Sequence, residues 1–127
     1  MKPEVGRAVL AWLDAQPRAD LFTTAISEAE LWYGVEKLPN GERRNRLAEA
    51  VRSILELEFA GRVLPFERSC APAFGRIAAA RRREGQPISA QDALIAAIAA
   101  SYGAVLATRN ISDFEGCGIE LVNPWAE

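Results

Sequence analysis

The chain has no histidine, two cysteines, one methionine and two lysines. Each scarcity removes a class of chemistry. With no imidazole and only the well-separated Cys70 and Cys117, a zinc or copper centre lacks its usual ligands, so any metal must be held by oxygen. Two cysteines do not make a disulfide scaffold, and they fit a reducing, cytoplasmic setting. Lys2 and Lys37 are the only lysines, so no base is placed to activate a serine or threonine nucleophile. No apolar run reaches the roughly 18 residues of a membrane span. The opening MKPEVGRAVLAWLD also lacks the uninterrupted apolar segment of a secretory signal. The expected setting is the cytoplasm, with no membrane partner.

What is present suits one domain, expected over residues 4–127, because 127 residues at 50% hydrophobic content can bury a genuine core. The net charge of -2 argues against a dedicated nucleic-acid-binding module, which would be basic overall. The positive charge is nevertheless concentrated in Arg43-Arg44-Asn45-Arg46 and Arg81-Arg82-Arg83. Arginine forks suit phosphate or carboxylate. A solvated helix face explains both clusters equally well.

Pattern and punctuation predict short apolar strands alternating with helices. Helices are expected at Val5–Ala15, Ser27–Leu38, residues 42–59, residues 68–84 and from Ser89 onward. Strands are expected at Leu21–Ile26, Val63–Phe66, Ala104–Ala107 and Ile119–Val122. That alternation implies an α/β fold with a parallel sheet flanked by helices, in which ligands sit beyond the carboxyl ends of the strands.

Three acids occupy one kind of place. Glu30 follows Ser27, Asp92 follows Ser89 and Asp113 follows Asn110, each three residues after a potential capping residue. A capping box is one reading of each. The other treats them together. Glu30 and Asp113 each come soon after a strand, and Asp92 heads an alanine-rich helix able to lie close to the sheet. Converging carboxylates repel unless a cation lies between them, and a hard oxygen-ligated ion such as Mg²⁺ or Mn²⁺ fits.

The segments FTTAISEAELWYGVEKLPNG, FAGRVLPF, ISAQDALIAAIA and LATRNISDFEGCGIELVNPW resemble the PIN-domain ribonucleases of the VapC and FitB type, toxins of bacterial toxin–antitoxin pairs. The resemblance runs from Val9 to Trp125. It implies a PIN-like parallel sheet flanked by helices and a Mg²⁺-dependent (or Mn²⁺-dependent) endoribonuclease cutting RNA with metal-activated water. It also implies a homodimer held by a partner antitoxin. Carried over by motif, Glu30, Asp92 and Asp113 become the catalytic, metal-binding acids. Thr108, Arg109 and Asn110 then lie beside them as hydrogen-bonding or substrate-binding groups.

The resemblance also implies a first strand ending in a metal-binding Asp, whereas this chain opens Met1-Lys2-Pro3-Glu4 and goes straight into a helix. The first, central strand is therefore expected to be missing, through a truncated or misassigned start or as a natural remnant. Asp14 and Asp20 do not match the lost motif. The alternative function that follows is a catalytically impaired PIN domain acting as a dimerisation or antitoxin-binding module. A phospho-acceptor receiver domain shares the sheet and the acids but needs a lysine near them. Apolar helix surface around Trp12, Leu31 and Trp32 is expected to support the homodimer.

Overall fold

A computed structural model describes residues 11, 12, 15–17, 21–108 and 110–123. Most of the helix expected at Val5–Ala15 lies outside these residues, as do Asp14, Asp20, Arg109 and Trp125. The chain divides into two compact units, Leu21–Pro65 and Phe66 onward.

In the first unit, β1 (Thr23–Thr24) runs directly into α1 (Ala25–Glu36). The switch occurs at Thr24, whose extended backbone and hydroxyl make it the N-cap: its Oγ1 accepts from the Ser27 N–H at 3.0 Å. The strand expected through Ile26 is shortened because this cap draws Ala25 and Ile26 into the helix. The cap expected at Ser27 moves three residues upstream with it.

After Pro39 and Gly41, α2 (Glu42–Ser53) continues into a π-helical turn at Ile54–Glu58, closed by Phe59 N–H donating to the Ile54 carbonyl at 3.0 Å. Val51 and Leu55 turn inward with Val35, and Trp32, Ala48 and Val63 pack against them. Leu47 and Ile54, on the neighbouring stripe of the same helix, stay exposed with Leu57. β2 (Val63–Leu64) pairs parallel with β1, Thr23 opposite Val63. The Arg62 side chain strengthens this edge by donating to the Leu21 carbonyl at 2.9 Å.

In the second unit, a 3₁₀ turn at Arg68–Cys70 leads into α3 (Ala71–Arg83), with Pro72 in its first turn, where no N–H is needed. α3 packs along α4 (Ala90–Tyr102), in which Ala93, Ala96, Ala97, Ile98 and Ala99 are all buried. Small side chains permit this close approach. α4 ends where Gly103 takes a left-handed φ of 65°. There the Gly103 N–H reaches the Ala100 carbonyl and the Ala104 N–H reaches that of Ala99, a Schellman ending that glycine alone adopts cheaply. β3 (Leu106–Ala107), a 3₁₀ turn at Ile111–Phe114 and β4 (Leu121–Val122) follow. Ile77, Ala96, Phe114 and Cys117 form the core, flanked by Ile95, Leu106 and Leu121 among others.

Every strand lies within its expected segment and every pairing is parallel. The single sheet expected from the sequence appears instead, among the described residues, as two parallel pairs, β1–β2 and β3–β4. Strands of two residues carry few ladder bonds, and each pair closes on a crossover inside its own unit.

Candidate functional site

The head of α4 forms as its sequence predicts. Ser89 is the N-cap, its Oγ accepting from the Asp92 N–H at 3.1 Å, which puts Asp92 at the third helical position. The Asp92 carboxylate is half-buried and has no hydrogen-bonded partner among the described residues. It lies close enough to Cys117 to act on its thiol. Burial is the main cause pushing that thiol up from its ordinary range; Arg81 opposes the shift, and Glu84 and Asp92 add to it. Glu84 reaches the same loop, its Oε2 lying 3.0 Å from where a Cβ on Gly116 would stand.

Asp113 is placed differently. It lies in the 3₁₀ turn after β3, exposed, with its N–H donating to the Asn110 carbonyl at 3.0 Å. The Asn110 side chain makes no capping bond, so the capping box expected there is a backbone turn. Its start is tied to the strand through Thr108. The Thr108 Oγ1 accepts from the Asn110 N–H at 3.0 Å, and the Thr108 N–H donates to the Val122 carbonyl at 2.9 Å. Arg109 lies outside the described residues.

Glu30 belongs to the other unit. Because Thr24 is the cap, Glu30 falls in the second turn of α1 rather than at its third position, and it is exposed. Its capping-box reading is thereby removed. Asp92 and Asp113 thus share a unit, and Glu30 does not. Among the described residues, neither unit by itself gathers three Asp, Glu or Cys side chains into a metal-holding group. The donor chemistry still fits a hard divalent ion. All three candidates offer carboxylate oxygens with no side-chain hydrogen bond among the described residues, while both sulfurs are buried.

The arginine clusters divide. Arg82 and Arg83 are exposed, as a solvated face requires, and Arg44 pairs with Glu36 and Asn40. Arg81 is buried, and its Nη1 donates to the carbonyls of Ser112 at 3.3 Å and Glu115 at 2.6 Å. Sequence reasoning treated it as one of three equal arginines. The available signal was spacing: Ala73, Ile77 and Arg81 repeat every fourth residue on the buried face of α3. Trp32 is half-buried against the Val35–Val51–Leu55 cluster, with Nε1 donating to Glu28 at 3.1 Å.

Parallel strand pairs joined to helices define an α/β domain. The PIN domain matches residues 2–115, and the chain belongs to that family. It is similar to a VapC ribonuclease of Sinorhizobium fredii, 39% identical over 124 residues that cover 98% of this chain and 89% of the relative. It is similar also to the toxin FitB of Neisseria gonorrhoeae, 38% identical over 126 residues, 98% of this chain and 90% of that one. Among solved structures, FitAB bound to a fragment of IR36 DNA superposes with a TM-score of 0.90 at 34% identity, over 99% of this chain and 88% of the other.

Proposed function

We propose that this chain is the ribonuclease toxin of a toxin–antitoxin pair and cleaves RNA with the help of Mg²⁺ or Mn²⁺. The observation that carries this reading is similarity over nearly the whole chain to proteins named as a ribonuclease and a toxin. Asp92, from a capped helix head, and Asp113, from the turn after β3, are assigned as acids that hold the ion, and motif resemblance assigns Glu30 to the same role. When bound, the ion supplies a polarised phosphoryl oxygen and a more acidic water.

The chain's own groups do the rest. Thr108 and Asn110 fix the entry to the Asp113 turn, and Arg109 is the group assigned to clamp a phosphate oxygen. The partner is an antitoxin protein, in keeping with the FitAB and VapBC complexes among the structural relatives. The chain acts as a homodimer, for which exposed Leu47, Ile54 and Leu57 on one side of α2 and its π-helical turn supply apolar contact surface. Among the described residues no helix is long and apolar enough to cross a membrane.

The direct test is cleavage of a mixed cellular RNA by the purified chain with Mn²⁺, with EDTA, and with D92N in place of the native chain. Cleavage is expected only with metal and the native acid. Equal cleavage in all three reactions would remove the assignment.

A further inference from the structure

We propose that Arg81 is a positioning residue: its buried guanidinium holds the turn that presents Asp113 and so sets how tightly the acids of the site bind a divalent ion. The inference rests on the metal reading above and concerns a residue outside the three acids.

Arg81 is 5% exposed at the end of α3, a costly place for a permanent charge. Among the described residues it makes no ion pair, and its Nε is buried without a hydrogen-bond partner. Its two bonds both come from Nη1 and go to the carbonyls of Ser112 and Glu115. Those carbonyls bracket Asp113, immediately before it and two residues after it. A helix end is thereby bonded to both sides of the four-residue 3₁₀ turn that carries Asp113.

An apolar side chain at this position, on the face shared with Ala73 and Ile77, would bury no charge but would leave the carbonyls of Ser112 and Glu115 without this donor. What the guanidinium adds is a fixed location for the acid-bearing turn. It also brings a positive charge to the region where Glu84 and Asp92 act on Cys117. Partners that orient metal-binding side chains from outside the ligand set commonly change metal affinity when removed.

The test is calorimetric titration of the full chain with Mn²⁺, comparing wild type with R81M, R81K, D113N and R81M/D113N. R81M is expected to weaken binding by about ten- to a hundredfold. R81K should recover most of that loss, because both native bonds come from one nitrogen, which an ammonium can replace. In the D113N background R81M should add nothing further. Wild type that binds no Mn²⁺, or D113N that binds it as wild type does, defeats the metal reading and this inference with it. A loss in D113N with none in R81M overturns the inference alone, as does an R81M loss that persists unchanged in the D113N background. Should R81M not fold, R81Q takes its place with the same outcomes.

Discussion

Helices α1 and α4 begin with similar sequences and end in different environments. Each has a serine three residues before an acid, Ser27 before Glu30 and Ser89 before Asp92. In α4 the serine is the cap, and the acid sits at the third helical position. In α1 a threonine three residues earlier takes the cap, and the acid moves into the second turn. Burial differs as sharply. α4 buries five residues, four of them alanine, whereas α1 buries only Val35. The same local motif therefore has two outcomes, decided by which hydroxyl ends the preceding extended segment and by how closely the helix is packed.

The largest expected effect comes from packing. Ile98→Ala removes a fully buried side chain from α4 and should cost about 2–5 kcal/mol. Leu31→Ala on α1, where the side chain is already 39% exposed, should cost less than about 1 kcal/mol. Urea unfolding of the two variants measures the contrast. Equal losses would mean that α1 is packed as firmly as α4.

The two helices should next differ in the sign of a glycine substitution. Gly103 closes α4 with a left-handed φ of 65°, so Gly103→Ala should destabilise by about 1–2 kcal/mol. Gly34 lies inside α1 with nothing within 4 Å of an added Cβ, so Gly34→Ala should stabilise by about 0.5–1 kcal/mol. Opposite shifts in unfolding midpoint are expected; shifts of the same sign would contradict the assigned backbone conformations.

A smaller effect separates the caps. Ser89→Ala and Thr24→Ala should each lose about 1 kcal/mol. Ser27→Ala should lose less, because its hydroxyl only receives the bond from Thr24 and no longer caps the helix. A Ser27 loss equal to that of Ser89 would restore the cap to the position its spacing suggests.

These cases also show what was legible in the sequence. The order of strands and helices could be read because apolar runs and glycine or proline stops are local signals; all four strands and their parallel sense followed from them. Asp92 at a capped helix head was legible for the same reason. The cap of α1 was not, because Thr23, Thr24 and Ser27 are all competent hydroxyls and β propensity favoured a longer strand. The division into two strand pairs depends on pairing between distant segments, which no local pattern encodes. Arg81 was hidden by Arg82 and Arg83. A run of three cations reads as solvent-facing, and only its phase relative to Ala73 and Ile77 marks the first as buried.

The central claim is that Asp92 holds a divalent ion as well as standing at a cap position. Thermal unfolding of wild type and D92N, each in EDTA and in millimolar Mn²⁺ (roughly the excess a weak oxygen site needs), tests it most directly. A ligand that binds only the folded state raises stability by mass action, so wild type should unfold at a higher temperature with Mn²⁺ than with EDTA. D92N should keep the Ser89 cap, which uses only the backbone N–H of residue 92, and lose the metal response. Equal Mn²⁺ shifts in the two proteins would contradict the account and leave Asp92 as part of a helix cap alone.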